Sequence, residues 1–164
     1  MKSPTFNKRL IEITIDYIVI CVYLLLLLAV TSIFYYFVYK GIPEFIEIES
    51  QLIATFTSVV PIIFLFTYFD YYSNTPGRKY TKLKLHFKKK SYGKSLLRNI
   101  VKFTPWQIGH IGTIHGVYSN FDLTSIIITN IATLLLLLML YLGLLTKDKR
   151  HLADMIAGTS VYSN

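Results

Sequence analysis

Hydrophobic residues in this chain gather in long blocks instead of recurring at helical or alternating spacing. Tyr17 to Tyr39 carries no charged side chain, nor does Leu52 to Phe69, nor Leu123 to Leu145, which is unbroken leucine from Leu134 to Leu138. Each block is long enough for a helix to cross a hydrocarbon core of about 30 Å. Pro61 interrupts the second block, which a membrane helix tolerates when side chains such as Thr57 and Ser58 help re-satisfy its backbone. Asn130 is the most polar residue of the third block and is expected to face another helix. A fourth stretch, Ile100 to Tyr118, is mildly apolar but contains Lys102, His110 and His115. Hydropathy alone does not make it a span. Between Tyr80 and Tyr92 the period changes to two, with Lys82-Leu83-Lys84-Leu85-His86-Phe87 alternating polar and apolar. That pattern predicts a small hairpin or single strand after the Thr75-Pro76-Gly77 turn.

Charge turns these blocks into a topology. Hydrophobic residues are 53% of the chain, and 17 Lys+Arg against 9 Asp+Glu give a formal net charge of +8. The mean hydropathy is +0.48. Lys2, Lys8 and Arg9 precede the first block; a run longer than a signal h-region with no small-x-small site after it reads as a retained helix, not a cleaved signal. Glu44, Glu47 and Glu49 follow it, and a stretch from Arg78 to Lys102 holds ten basic residues and no acid. Lys147, Lys149 and Arg150 follow the last block. Lys and Arg stay cytoplasmic, and only four crossings put every basic cluster and both termini inside. Three true spans with a surface-lying or re-entrant helix is the alternative.

The expected architecture is therefore an all-α polytopic helical membrane bundle, one domain over residues 1–164. Three transmembrane helices are strong, at about 12–39, 52–72 and 123–145, and a fourth lies at about 97–118. A basic cytoplasmic loop over 73–96 holds the strand or hairpin, and 148–160 forms an amphipathic C-terminal segment. In that segment Leu152, Met155 and Ile156 make the apolar stripe, and Gly158 can end the helix.

Arg9, Glu12 and Asp16 fall on one helical face at spacings of three, four and seven. Asp16 lies about 10 Å along the axis from Arg9, at the headgroup boundary or just inside the core. An acid at mid-span costs about 2.5–3.5 kcal/mol, so Asp16 should face protein or water and have a cationic partner. An orienting salt bridge and an ion or proton site are both open readings. Arg98 and Lys102, four apart, are candidate partners, with snorkelling the plainer role for Lys102. Asp154 needs a cation that Arg9 or Arg98 can supply. His110 and His115, five apart, are poorly spaced for a metal, and no metal or cofactor is expected. The single Cys21 allows no internal disulfide. Gly109, Gly112 and Gly116 permit close helix approach. The basic loop residues Arg78, Lys79, Lys82, Lys84, Lys88, Lys89 and Lys90 are read as facing anionic lipid headgroups, and nucleic acid is not needed to explain them. No phosphate-binding loop, nucleophile elbow or zincin motif is present, so the chain does not read as an enzyme.

Four segments carry a family resemblance. KRLIEITIDYIVI at the start has Arg9 at the mouth of the first span and Asp16 seven residues on. Thr75-Pro76-Gly77 is followed by Arg78 and Lys79, Leu96-Leu97-Arg98 comes next, and RHLADMIAGT from Arg150 closes the chain. Together they resemble the RDD family of membrane proteins, with Asp154 as the second aspartate. The segment PWQIGHIGTIHG lengthens the region before the last span and departs from the family's usual three-span description.

The resemblance implies an integral protein of a bacterial cell membrane and transport of an ion or small solute, with sodium/proton exchange attributed to some members. Arg9, Asp16, Arg98 and Asp154 would form the charged network, with Glu12, Lys102, His110 and Arg150 as secondary residues; a four-helix unit this small leaves little room for a pathway inside one subunit, so a homo-oligomer is expected. The competing expectation is a non-catalytic membrane adaptor that binds anionic lipid or an acidic protein through the basic loop.

Overall fold

The computed structural model describes residues 2–163. Helix α1 (Phe6–Phe34) starts at Thr5, whose side chain accepts from the Lys8 amide, and continues through a π-helical turn at Tyr35–Tyr39. Lys40, at φ 54°, ends it. The second apolar rod consists of α2 (Glu47–Ala54), a π turn (Thr55–Val59), α3 (Val60–Tyr68) and another π turn (Phe69–Ser73). Pro61 explains the first of these turns. It has no N–H to give the Thr57 carbonyl, and its ring crowds that carbonyl. The Tyr23 hydroxyl of α1 donates to the freed carbonyl at 2.5 Å. Thr57 and Ser58 instead bond the carbonyls of Ile53 and Ala54. The repair expected from these two residues is thus shared with a tyrosine of another helix.

Asn74, at φ 78°, breaks the rod before a short helix α4 (Pro76–Thr81) capped by Thr75. Strand β1 (Leu83–Phe87) follows, then α5 (Tyr92–Ser119), α6 (Leu123–Leu144), α7 (Leu152–Ala157) and strand β2 (Thr159–Ser163). The local hairpin allowed by the sequence is not formed. β1 pairs antiparallel with β2 from Leu83↔Ser163 to Phe87↔Thr159. Period-two patterning marks a strand but not its partner. The expected C-terminal amphipathic segment is a helix only to Ala157. Met155 and Ile156 are exposed, Asp154 is buried, and the chain then turns at Gly158, φ 66°, into β2.

Three helical segments are long and apolar enough to cross a membrane: Phe6–Tyr39, Glu47–Thr81 and Leu123–Leu144. Helix α5 is too polar to join them on hydropathy, yet its 28 residues extend about 42 Å. It runs antiparallel to α6, with Gly109 facing Ala132, Gly112 facing Thr129 and Gly116 facing Ser125 and Phe121. A Cβ on Gly112 would lie 2.5 Å from Thr129 Oγ1, so this glycine fixes how closely the two helices approach.

Lys2 bridges to Ser163, which puts both described chain ends at one end of the bundle, with α4, β1, β2 and α7. At the other end Tyr118 Oη donates to the Phe45 carbonyl and His115 contacts Glu47. Four long rods therefore run between two ends. Between them lies a small apolar core of Ile20, Val59, Ile62, Phe66 and Phe103, bordered by Tyr23, Leu24, Ile63 and Trp106. Leu25, Leu26 and Leu28 of α1 and Leu134 of α6 are more than 60% exposed. On helices of this composition that outward apolar surface is the one lipid covers.

Candidate functional site

At the end that carries the termini, six charged side chains close a ring. Arg9 Nη1 donates to Glu12 Oε2 at 2.5 Å, one helical turn on. The other oxygen of Glu12 lies 3.7 Å from Arg78 Nε. Arg78 Nη2 donates to Asp70 Oδ1, and Asp70 Oδ2 accepts from Arg98 Nη1 at 2.5 Å. Arg98 Nε donates to Asp154 Oδ1 at 2.7 Å, and Asp154 Oδ2 lies 3.5 Å from Arg9 Nη2. Each carboxylate joins two arginines and each arginine two carboxylates, so three charges of each sign alternate and cancel. All six residues are at most 5% exposed.

The ring joins five parts of the chain: α1, the π turn after α3, α4, α5 and α7. Local chemistry places each member. Pro76 at the first turn of α4 and the Thr75 cap start that helix, and Thr75 Oγ1 also accepts from Arg78 Nε at 3.0 Å. Asn99 Nδ2 donates to Asp70 Oδ2 at 2.9 Å. Thr159 Oγ1 donates to Asp154 Oδ1 at 2.9 Å. His151 caps α7, its Nδ1 accepting from the Asp154 amide, which leaves the proton on Nε2, 3.2 Å from Asp154 Oδ2.

Two ring-side groups lie beyond the membrane-length helices. Burial would raise the Asp154 carboxyl, but Arg98, with Arg9 further off, outweighs it and holds the group well below the usual carboxylate range. Burial pushes His151 down to about 3; Asp154 opposes this and the positive field of Arg98 and Arg9 reinforces it. Arginine does not deprotonate in proteins, so the ring is a set of fixed, mutually neutralised charges.

Asp16 and Lys102 sit beside the ring and are bonded differently. Asp16 is 6% exposed, and its Oδ1 accepts the Gly77 amide at 2.8 Å. Among the described residues it has no ion-pair partner within 4.0 Å. Gly77 allows this contact because a Cβ there would overlap the Glu12 carbonyl oxygen and press on Asp16. Lys102 Nζ lies over the Phe66 ring at 4.4 Å and the Phe103 ring at 5.2 Å. Among the described residues Lys102 also lacks an ion-pair partner within 4.0 Å.

The structure thus brings Arg9, Arg98 and Asp154 together as ring members, includes Glu12, and leaves Asp16 with Lys102 outside it. Asp70 was missed, although an acid directly after the uncharged run ending at Phe69 needs a cation as much as Asp16 does. Arg78, grouped on sequence with the lipid-facing loop, is instead 1% exposed and pairs with Asp70 and Glu12. Lys79, Lys82, Lys84, Lys88, Lys89 and Lys90 are exposed. Arg150 bonds the carbonyls of Thr159 and Asp154 and does not enter the ring.

His110 lies further along α5, where its Nε2 accepts from Trp106 Nε1 at 2.8 Å. His115 is between Glu47, at 2.9 Å, and Asp122, at 3.6 Å, which approach opposite ring nitrogens. Among the described residues no three His, Cys, Asp or Glu side chains converge in a way that would hold a metal.

A family model, described as the RDD family, matches residues 3–158. Comparisons with curated proteins and with solved structures found no match.

Proposed function

Because the chain belongs to the RDD family, we propose that it moves a cation or proton across a bacterial cell membrane, at Asp16 and Lys102 and not at the charged ring. The observation that carries this reading is the contrast among four buried carboxylates. Glu12, Asp70 and Asp154 each hold two arginines, while Asp16 has a single backbone amide and no ion-pair partner among the described residues. Unlike the arginines of the ring, a lysine can give up its proton.

In the proposed cycle the Lys102 ammonium balances Asp16 when no cation is bound. A cation that binds Asp16 from one side takes over that role, and Lys102 releases its proton to that same side; when the site faces the other side the cation dissociates and Lys102 takes up a proton there, which restores the first state. One positive charge enters for each proton that leaves. The positive-inside rule puts the ring, the lysines and both termini in the cytoplasm, with α5 as a fourth crossing. The little room in one subunit makes a homo-oligomer the expected working form.

The test is a sodium gradient imposed on liposomes that hold purified protein and an internal pH dye. Sodium-dependent proton flux is expected from the wild type and should be lost in Asp16→Asn and Lys102→Gln variants that remain monodisperse. Unchanged flux in Asp16→Asn would overturn the mechanism. An adaptor is the second reading, favoured by the six exposed lysines and the self-satisfied ring. It predicts no flux from well-folded wild type and a partner interaction that weakens with salt.

A further inference from the structure

A cleft of about 310 Å³ opens where the second apolar rod ends against the two-stranded sheet. Its walls come from the π turn after α3, from β1 and from β2. Lys84 and Lys90 supply two exposed ammonium groups, and among the described residues neither has an ion-pair partner. Lys90 Nζ is held 5.0 Å from the centroid of the Tyr71 ring. His86 meets the ring of Tyr162 edge-on across the paired strands.

Asp70 forms part of the floor, but it is not a free anion. Its Oδ1 accepts from Arg78, and its Oδ2 accepts from Arg98 and Asn99. With that charge neutralised, the lysines set the field in the cleft. Tyr71, Tyr72 and Tyr162 also line the cleft, while the Ser73 hydroxyl is spent on the Asn74 carbonyl at 3.3 Å. Two separate ammonium groups on one cleft suit a phosphate group.

The surface leading away from the cleft identifies the source of that phosphate. Phe64, Tyr68 and Tyr72 recur at four-residue spacing and are 51%, 53% and 64% exposed. The rings of Tyr68 and Tyr72 lie 5.0 Å apart. This ladder runs from the mouth of the cleft down the outward face of an apolar rod. A free phosphate has no use for such a surface, whereas acyl chains can lie along it while their headgroup stays among the lysines. Tyrosines at the end of an apolar rod are also the usual residues of the headgroup layer. We propose that this cleft binds the phosphate of an anionic phospholipid, with the acyl chains on the Phe64–Tyr68–Tyr72 ladder. The site is separate from Asp16 and Lys102.

Native mass spectrometry of the detergent-solubilised full chain, titrated with phosphatidylglycerol or phosphatidylcholine, tests this. Retained phosphatidylglycerol is expected, with weaker phosphatidylcholine binding. A Lys84→Ala/Lys90→Ala variant should bind phosphatidylglycerol about tenfold or more less tightly, as two surface lysines would produce. A Lys79→Ala/Lys82→Ala variant removes the same charge outside the cleft and should bind almost as the wild type does. Both pairs are exposed, so melting temperature should stay level and shows that each variant is folded. Equal losses in the two variants would mean a diffuse basic surface and overturn the site. So would equal retention of phosphatidylcholine. Displacement by inorganic phosphate at the lipid's own concentration would overturn the lipid assignment.

Discussion

The two ends of the bundle solve the same problem, polar groups among apolar helices, in different ways. The end with the chain termini buries full charges and closes them into a ring of six, in which each member has two opposite partners. The other half uses neutral groups in pairs, such as Gln107 to Thr55 and Trp106 to His110, or half-exposed ones such as His115 with Glu47. A buried pair contributes little net stability, because desolvation offsets attraction, but loss of one partner strands a charge. The ring therefore should be intolerant of single changes while the outer contacts tolerate them. It also ties α1 to α5 and α7, elements with which α1 has few other contacts.

The largest effect should come from Arg98→Ala, which leaves Asp70 and Asp154 each with one cation fewer. A cost of about 3–5 kcal/mol is expected, read as loss of the monodisperse peak in size-exclusion chromatography. Retention of the wild-type melting temperature would show that the ring is not what holds this end. Gly77→Ala should come next, at about 1–3 kcal/mol, because the new methyl has to displace the Glu12 carbonyl and the Asp16 carboxylate. Thermal unfolding in detergent measures it.

Acid should destabilise this end next. The folded His151 titrates at about 3, below its ordinary 6.5, so the folded state binds fewer protons than the unfolded one. Its contribution is complete above about 6.5 and is lost as pH falls from there toward 3. Arg9, Arg98, Lys102 and Asp154 are the charges around it, and Asp154 adds its own loss from the ordinary carboxylate range downward. Melting temperature should fall between pH 7 and pH 4, and His151→Gln should flatten that slope. A slope unchanged by the substitution would place the acid sensitivity elsewhere. The smallest effect is expected in the outer half. Gln107→Leu removes one hydrogen bond to Thr55, of about 0.6 kcal/mol, and should leave folding nearly intact by the same assay. A loss as large as that of Arg98→Ala would erase the contrast between the two ends.

The long apolar blocks, the charge bias between them and the strand pattern at Leu83–Phe87 were all legible, because hydropathy, charge and period are properties of short windows of chain. The helical spacing of Arg9, Glu12 and Asp16 placed them on one face for the same reason. Other features needed the fold. β1 takes a partner from the last residues of the chain, and Arg9 meets Asp154 across 145 positions. Which acid each arginine takes depends on how α4 and α7 dock, so sequence placed Arg78 at the surface and passed over Asp70. The difference between Asp16 and the other carboxylates is likewise tertiary. All four are acids near an apolar run, and only the three-dimensional arrangement gives three of them two arginines and the fourth an amide. By itself the sequence determined a membrane bundle with its charge gathered at one end; the closed ring is decided by tertiary structure, because charge neutralisation acts through space and depends on distances that no local window contains.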